Sequence, residues 1–362
     1  MHGLWPCCEP PFSLVPEPNV SDQKEDFVQA LCQRSAKLSL AVFIAVAVGG
    51  YMPAAAQSME AASLRMDWTP ISYHAPFYLA KARGYYRDVG IDFKMEDGRG
   101  SGTTIQMVGN NVDTFGLADA SVVAKAIGQQ IPVKLVMGIF RRSVAGIVFP
   151  AKNDIQTAAD LKGKRVATCA GDAPLILLPA YLKAVNLTMN DLKVVTVDCG
   201  SKYTVVAQGL ADVTLGFAPY GKTMFGNAGI TDVRAFDYAD AGLNLPSHGI
   251  IASQRTIEAK PDLIRRFVSA TAKGWNETRK DPNSAIKEMV AAVALMKGRD
   301  QVLNTEFEGY AAYLDTPATQ GRPFGWQSPD DWKIAEDILV QYMDMKRQAS
   351  VEAYFTNQFI SE

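Results

Sequence analysis

The sequence predicts an α/β protein built as two similar lobes, and three observations predict it. Short β-rich runs alternate with helical segments between Leu64 and Ser253, the order expected of parallel sheets covered by helices. After Lys260 the pattern turns wholly helical. A Gly/Asp pattern also occurs twice, as Gly109, Asp113 and Gly116 in GNNVDTFGLAD and as Gly209, Asp212 and Gly216 in GLADVTLGFAPY. Each copy reads as helix end, acidic turn, short strand and loop. Two lobes so built would turn strand C-termini toward a shared cleft, where open α/β sheets bind ligands.

Strands are expected over Leu64–Trp68, Ile91–Met95, Val133–Gly138, Ile147–Pro150, Arg165–Thr168, Lys193–Val197, Val213–Gly216 and Gly249–Ser253, where β-branched and aromatic residues run between turn formers. Helices are expected between them over Pro76–Arg83, Thr104–Val108, Pro174–Ala184 and Tyr203–Gly209. The stretches Pro261–Lys280, Asn283–Ala294, Asp300–Tyr313 and Ser328–Met343 then form a helical cap.

The N-terminus reads as an export signal. Lys37 precedes an apolar run from Leu38 to Val48, and Ala54, Ala55 and Ala56 precede Gln57, giving a basic n-region, an h-region and an A-x-A cleavage site. The run is about half of what a bilayer-spanning helix needs, so stable membrane insertion is not expected. A periplasmic protein starting near Gln57 is. Residues 1–36 are too long and too acidic for a signal, which an over-extended start would explain, with Val28 or Leu31 as the true one. Cys32 lies before the apolar stretch, not after it, which argues against lipid anchoring.

Removing residues 1–56 leaves 33 basic and 33 acidic side chains. This neutral balance gives no support to a nucleic-acid partner. Cys169 and Cys199 each follow a strand-like run. Export permits a disulfide, but spacing cannot place two Cα atoms in bonding range, and two separate buried thiols are the expectation. With His74 and His248 as the remaining histidines and no short Cys/His spacing, no metal site is expected.

The stretch RMDWTPISYHAPFYLAKARGYYRDVGIDFKM resembles the opening of periplasmic binding proteins related to thiamine-pyrimidine synthase and to sulfonate- or nitrate-binding proteins. DLKGKRVAT resembles the segment that opens their second lobe, and KPDLIRRFVSATAKGWNETRKDPNSAIK resembles the helices after the return to the first. The resemblance implies a type II periplasmic-binding-protein fold, with two lobes, a hinge and an interlobe ligand cleft. Crossovers are expected near Pro150 and Pro246, with residues 57–149 and 248–362 in lobe one and 150–247 in lobe two. It implies a monomeric solute-binding component of an ABC importer whose partners are a small-molecule ligand, a membrane permease and its ATPase. The chain contains no P-loop of its own.

Ligand contacts are sought at the cleft. Trp68 and Tyr73 lie at or just past the first strand end, where a ring could be stacked, although a Trp there also suits the core. His74 matches a histidine of pyrimidine-handling relatives, or is a helix-start residue facing solvent. Ser101, Gly102 and Thr103 open a helix whose free N–H groups suit an oxygen ligand, and Thr103 with Gln106 has capping-box spacing. Gly171 and Asp172 repeat this logic in lobe two, with Asp172 as cap or contact. Asp119 follows one echoed strand and Phe217 and Tyr220 follow the other, while Ser247 and His248 lie at the second crossover. A carboxylate beside aromatics suits a heteroaromatic carrying N–H donors, such as a thiamine-precursor pyrimidine. Arg141 and Arg142 keep a sulfonate or nitrate ligand as the alternative.

The resembled family also includes an enzyme that builds this pyrimidine from its own histidine and pyridoxal phosphate. The position of its cofactor lysine is Ala118 here, and its cysteine-rich run is replaced by SHGIIASQ. No catalytic residue and no cofactor are therefore expected.

Overall fold

The computed structural model describes residues 59–361. The expected signal peptide lies outside them. Ten strands form two five-stranded sheets among the described residues. Strands β1 (Glu60–Arg65), β2 (Ile91–Glu96), β3 (Phe115–Asp119), β4 (Val133–Gly138), β5 (Gly146–Pro150), β6 (Arg165–Thr168), β7 (Lys193–Thr196), β8 (Val213–Gly216), β9 (Val233–Asp237) and β10 (His248–Ser253) follow in chain order. The sheets run β2-β1-β3-β10-β4 and β7-β6-β8-β5-β9. In each, the first three strands are parallel and the fourth is antiparallel to the third.

The Gly/Asp echo is thus a topological one. Gly116 ends up in β3 and Gly216 in β8, the middle strand of each sheet. Both sheets receive their antiparallel fourth strand from the chain just after a crossover. Strand β3 is buried along its whole length, as a central strand covered on both faces must be.

The helices are α1 (Ala75–Ala82), α2 (Tyr85–Asp88), α3 (Ser101–Gly109), α4 (Ala120–Gly128), α5 (Ala173–Ala184), α6 (Lys202–Ala207), α7 (Ala218–Asn227), α8 (Gln254–Ala259), α9 (Pro261–Lys280), α10 (Pro282–Ala292), α11 (Asp300–Tyr310) and α12 (Pro329–Met343). Helix α9 starts on a proline, which suits its first turn. It buries Leu263, Ile264, Phe267, Val268, Thr271 and Trp275 at helical spacing against lobe one.

Two expectations about lobe boundaries shift. Gly146–Pro150 pairs with β8 and β9, so the first crossover is residues 139–145, ahead of Pro150. The proline closes β5 at its end. The C-terminal helix also does more than cap lobe one, because Trp332, Ala335 and Leu339 share a core with Leu177, Leu178 and Tyr181 of α5. Lys183 Nζ donates to the Gln341 carbonyl at 2.7 Å.

The thiol expectation fails outright: Cys169 and Cys199 form a disulfide, with Cα atoms 5.1 Å apart. Strands β6 and β7 are parallel neighbours in register Thr168↔Thr196, so residues just beyond their C-terminal ends are brought side by side. No helix of the described residues is long and apolar enough to cross a membrane, and no group of three or more His, Cys, Asp or Glu among them is arranged to hold a metal ion.

Candidate functional site

A narrow cavity, open to solvent at its mouth, lies between the lobes. Lobe one supplies Asp67, Trp68, Ile71, Gly100 and Ser101. Lobe two supplies Asp172, Ala173, Lys202, Tyr203, Gly216, Phe217 and Tyr220. These residues stand at the C-terminal ends of β1, β6 and β8 and at the starts of α3, α5, α6 and α7, the place where open α/β sheets present loops to a ligand.

The lobes meet closely at one rim. The Gly102 N–H donates to the Gly171 carbonyl at 3.2 Å. A Cβ on Gly100 would overlap that same carbonyl, and Gly100 has φ 103°, so only glycine fits there. At another contact Tyr313 Oη donates to Asp237 Oδ2 at 3.2 Å.

Lobe two contributes a charged pair under an aromatic roof. Lys202 Nζ hydrogen-bonds to Asp172 Oδ2 and lies 4.7 Å from the centroid of the Trp68 ring. Both members of the pair are buried. Burial raises the Asp172 carboxyl above its ordinary range against the pull of Lys202. Asp172 occupies the N-cap position of α5 without capping it through its side chain. Each member stands three residues after a cysteine of the Cys169–Cys199 bridge, so the disulfide ties together the two loops that present the pair.

Lobe one contributes Asp67, and behind it a buried polar chain. Asp67 Oδ2 accepts from Tyr73 Oη at 2.5 Å and from His248 Nε2 at 3.0 Å, while Oδ1 accepts from His74 Nε2 at 2.9 Å. His74 Nδ1 accepts from the Ile71 N–H at 3.1 Å, which assigns its proton to Nε2. His248 differs. Ser247 Oγ donates its one proton to Asp119 Oδ2 at 2.8 Å, so the 3.1 Å contact between Ser247 Oγ and His248 Nδ1 requires the ring to donate.

Hydrogen-bond accounting therefore makes His248 an imidazolium between two carboxylates. Burial opposes that charge, but the charge and hydrogen bond of Asp67 and the charge of Asp119 raise its pKa above the ordinary value. Burial likewise opposes ionisation of Asp67, yet His248 and His74 hold its carboxyl far below the usual range.

The expected contacts sort accordingly. Trp68, Ser101, Asp172, Phe217 and Tyr220 line the cavity. Tyr73, His74 and His248 lie beneath it, fully buried around Asp67. Asp119 caps α4, accepting from the Ser121 and Val122 N–H groups at 2.9 and 3.3 Å. Ser101 Oγ accepts from the Asp119 N–H at 3.0 Å. Gly102, Thr103 and Gly171 form the rim, not the lining. Thr103 makes no capping box, because α3 starts at Ser101 with Gly100 as its cap. Arg141 lies behind the cleft, and Arg142 does not line it.

Sequence reading missed Asp67, Ile71, Gly100, Ala173, Lys202, Tyr203 and Gly216. Lys202 and Tyr203 carried a signal, since they follow a strand end just as Trp68 does.

Comparison with known proteins places this geometry in context. The chain is 26% identical over 322 residues to the riboflavin-binding protein RibY of Chloroflexus aurantiacus, covering 85% of this chain and 88% of that protein. It is 21% identical over 286 residues to the formylaminopyrimidine-binding protein of Halalkalibacterium halodurans, covering 76% and 84%. Enzymes occur among its relatives too, with 21% identity over 242 residues to a 4-amino-5-hydroxymethyl-2-methylpyrimidine phosphate synthase of Aspergillus parasiticus, covering 64% and 70%. Its fold matches that of the alkanesulfonate-binding protein SsuA of Xanthomonas axonopodis pv. citri, solved with MOPS, with TM-score 0.63, 18% identity and coverage of 82% and 99%. The profile described as NMT1/THI5 like matches residues 71–285, more than half of the sequence, and the chain belongs to that family.

Proposed function

We propose that this chain is the solute-binding component of an ABC-type importer. Exported through a cleaved signal peptide, it captures a flat heteroaromatic, of the thiamine-precursor pyrimidine class or similar, and passes it to a membrane permease and its ATPase. The observation that carries this reading is the interlobe cavity itself: rings of Trp68, Tyr203, Phe217 and Tyr220 wall a slot whose charged groups are Asp67 and the Lys202–Asp172 pair. Aromatic walls take a planar ring by stacking, and carboxylates accept from ring N–H or amino groups. The names of two relatives, a riboflavin-binding and a formylaminopyrimidine-binding protein, point the same way.

A sulfonate or nitrate ligand fits less well. The lining holds two carboxylates against one ammonium, and Arg141 is outside it. The reading is also of a receptor without catalysis. His74 has both ring nitrogens engaged and is fully buried, and Ala118, at the position matched to the resembled enzyme's cofactor lysine, is buried within β3. The residues present thus do not fit pyridoxal phosphate.

The test is a thermal-shift screen of residues 57–362 against aminopyrimidines, riboflavin, alkanesulfonates and nitrate. A ligand at a hundred times its Kd stabilises by about 2.7 kcal/mol. A shift with the heteroaromatics, lost at least tenfold in affinity in Trp68→Ala, is expected. Shifts confined to sulfonates or nitrate would overturn the ligand class while leaving the receptor reading in place.

A further inference from the structure

Arg141 lies in the 139–145 crossover and enters a small cavity behind the cleft, walled by Gly138, Phe140, Ser247, His248, Gln327 and Asp331. It is 6% exposed and Gln327 is 4% exposed. Arg141 Nε and Nη1 and Gln327 Nε2 are buried without a hydrogen-bond partner among the described residues. All three are donors, and a guanidinium in a protein does not give up its charge. An uncompensated buried charge is strongly destabilising.

The nearby carboxylates Asp315 and Asp331 favour the charge of Arg141 from a distance, but neither hydrogen-bonds to it. Asp315 pairs with Arg279 at 2.6 Å, and Asp331 Oδ2 accepts from Thr316 Oγ1 at 2.8 Å. Arg279, held by Asp315, packs on the same Phe324 ring as Arg141, each guanidinium carbon 5.8 Å from the ring centroid. The imidazolium of His248 adds positive charge, with both ring nitrogens already taken. Gly138 makes the space. A Cβ there would lie 2.5 Å from Arg141 Nη1 and 2.9 Å from Gln327 Cγ.

We propose that this cavity is a binding site for a halide-sized monovalent anion, held by Arg141 Nε and Nη1 and Gln327 Nε2. Its place in the fold gives it a consequence. Arg141 belongs to one crossover, Ser247 and His248 to the other, and Gln327 to the segment entering α12, so a bound anion clamps three strands of chain that must shift when the lobes open. The site stands whether or not the cleft takes a heteroaromatic.

The test uses crystals of residues 57–362 grown in bromide, together with melting curves in sodium bromide and in sodium gluconate at equal ionic strength. An anomalous peak against Arg141 and Gln327 is expected, with a saturable bromide-dependent rise in Tm of roughly 2 °C or more. Arg141→Met risks misfolding, so the discriminating variant is Gln327→Glu, which supplies the negative charge from within. It should melt in gluconate at least as high as the parent in bromide and lose the bromide response. A cavity holding ordered water only, or a bromide response equal in parent and Gln327→Glu, would overturn the proposal.

Discussion

Asp67 is the residue on which the buried polar chain turns, and Asp67→Asn tests that directly. The carboxylate accepts three hydrogen bonds, two at Oδ2 and one at Oδ1. Asparagine keeps one acceptor and replaces the other with an NH₂ donor. Either the His74 face or the Tyr73 and His248 face then sets donor against donor, whichever way the amide is turned. The variant also removes the partner of a buried imidazolium. Breaking a buried ion pair by deleting one member costs about 3–5 kcal/mol, and an unsatisfied buried donor costs about 1–3 kcal/mol. Deprotonation of His248 relieves part of the first, so a net loss of about 3–5 kcal/mol is expected. Urea unfolding at pH 6 measures it. In a His248→Gln background the same substitution should cost at least about 1 kcal/mol less, the coupling expected of groups in direct contact. A loss below about 1 kcal/mol in the parent, or strict additivity, would refute the assignment of His248 as imidazolium.

The same pair fixes the sign of a pH dependence. A raised His248 contributes stability that is full below its unfolded pKa of about 6.5 and is lost as pH rises through the folded value. A depressed Asp67 contributes stability that is full above about pH 4 and is lost as pH falls. The stability advantage of the parent over His248→Gln should therefore be greatest between about pH 4 and 6.5 and shrink above it; urea midpoints across that range read it, and an advantage growing toward pH 9 would contradict it. Taking the difference cancels carboxyls such as Glu306, which burial raises. Replacing Cys169 and Cys199 by alanine opens a loop with a sequence separation of 30 residues and should cost about 3–4 kcal/mol on the chain-entropy estimate. Calorimetry should also find weaker ligand affinity, because the freed loops carry Asp172 and Lys202. Unchanged stability and affinity would show that the bridge positions nothing.

Much of the fold was legible because local pattern and global fold agree. The runs at 133–138, 165–168 and 213–216 are strands at the expected bounds. The Gly/Asp echo anticipated two sheets of one topology. What was not legible depended on long-range pairing. Ile147, Val148 and Phe149 suit either sheet, and only pairing with β8 and β9 assigns them to lobe two. Strand β9 mixes charge and aromatics at half-buried positions and so lacks a clean alternation. At the site, aromatics past strand ends could be found by position, as Trp68, Phe217 and Tyr220 were. Asp67 could not, since a lone acid in an expected strand looks like a surface residue until its partners are known, and Lys202 shared the position past a strand end without the aromatic ring that singled out Trp68. His74 and His248 were noticed for their chemistry, but their number of hydrogen bonds, not their type, makes them supports of Asp67.

The two lobes thus divide the labour of support and contact. Lobe one holds Asp67 rigid through residues far apart in sequence, from Tyr73 to His248, so altering it disturbs the hinge and the core together. Lobe two presents Asp172 and Lys202 on loops tied by a disulfide, and Phe217 and Tyr220 at the start of α7, where a substitution changes the cavity lining. Selection for a new ligand should therefore act first on lobe two. Lys202 is the sharpest case. Replacing it with methionine leaves the lining with two carboxylates and no cation, and burial already raises the Asp172 carboxyl. Without the ammonium, Asp172 becomes neutral more readily and turns from acceptor to donor. Lys202→Met should therefore weaken ligands that offer an N–H to Asp172 and favour those that offer a carbonyl. Calorimetric titration of an aminopyrimidine and its oxo analogue reads the exchange as a change in their affinity ratio. An unchanged ratio would mean that the ion pair supports the loop and does not touch the ligand.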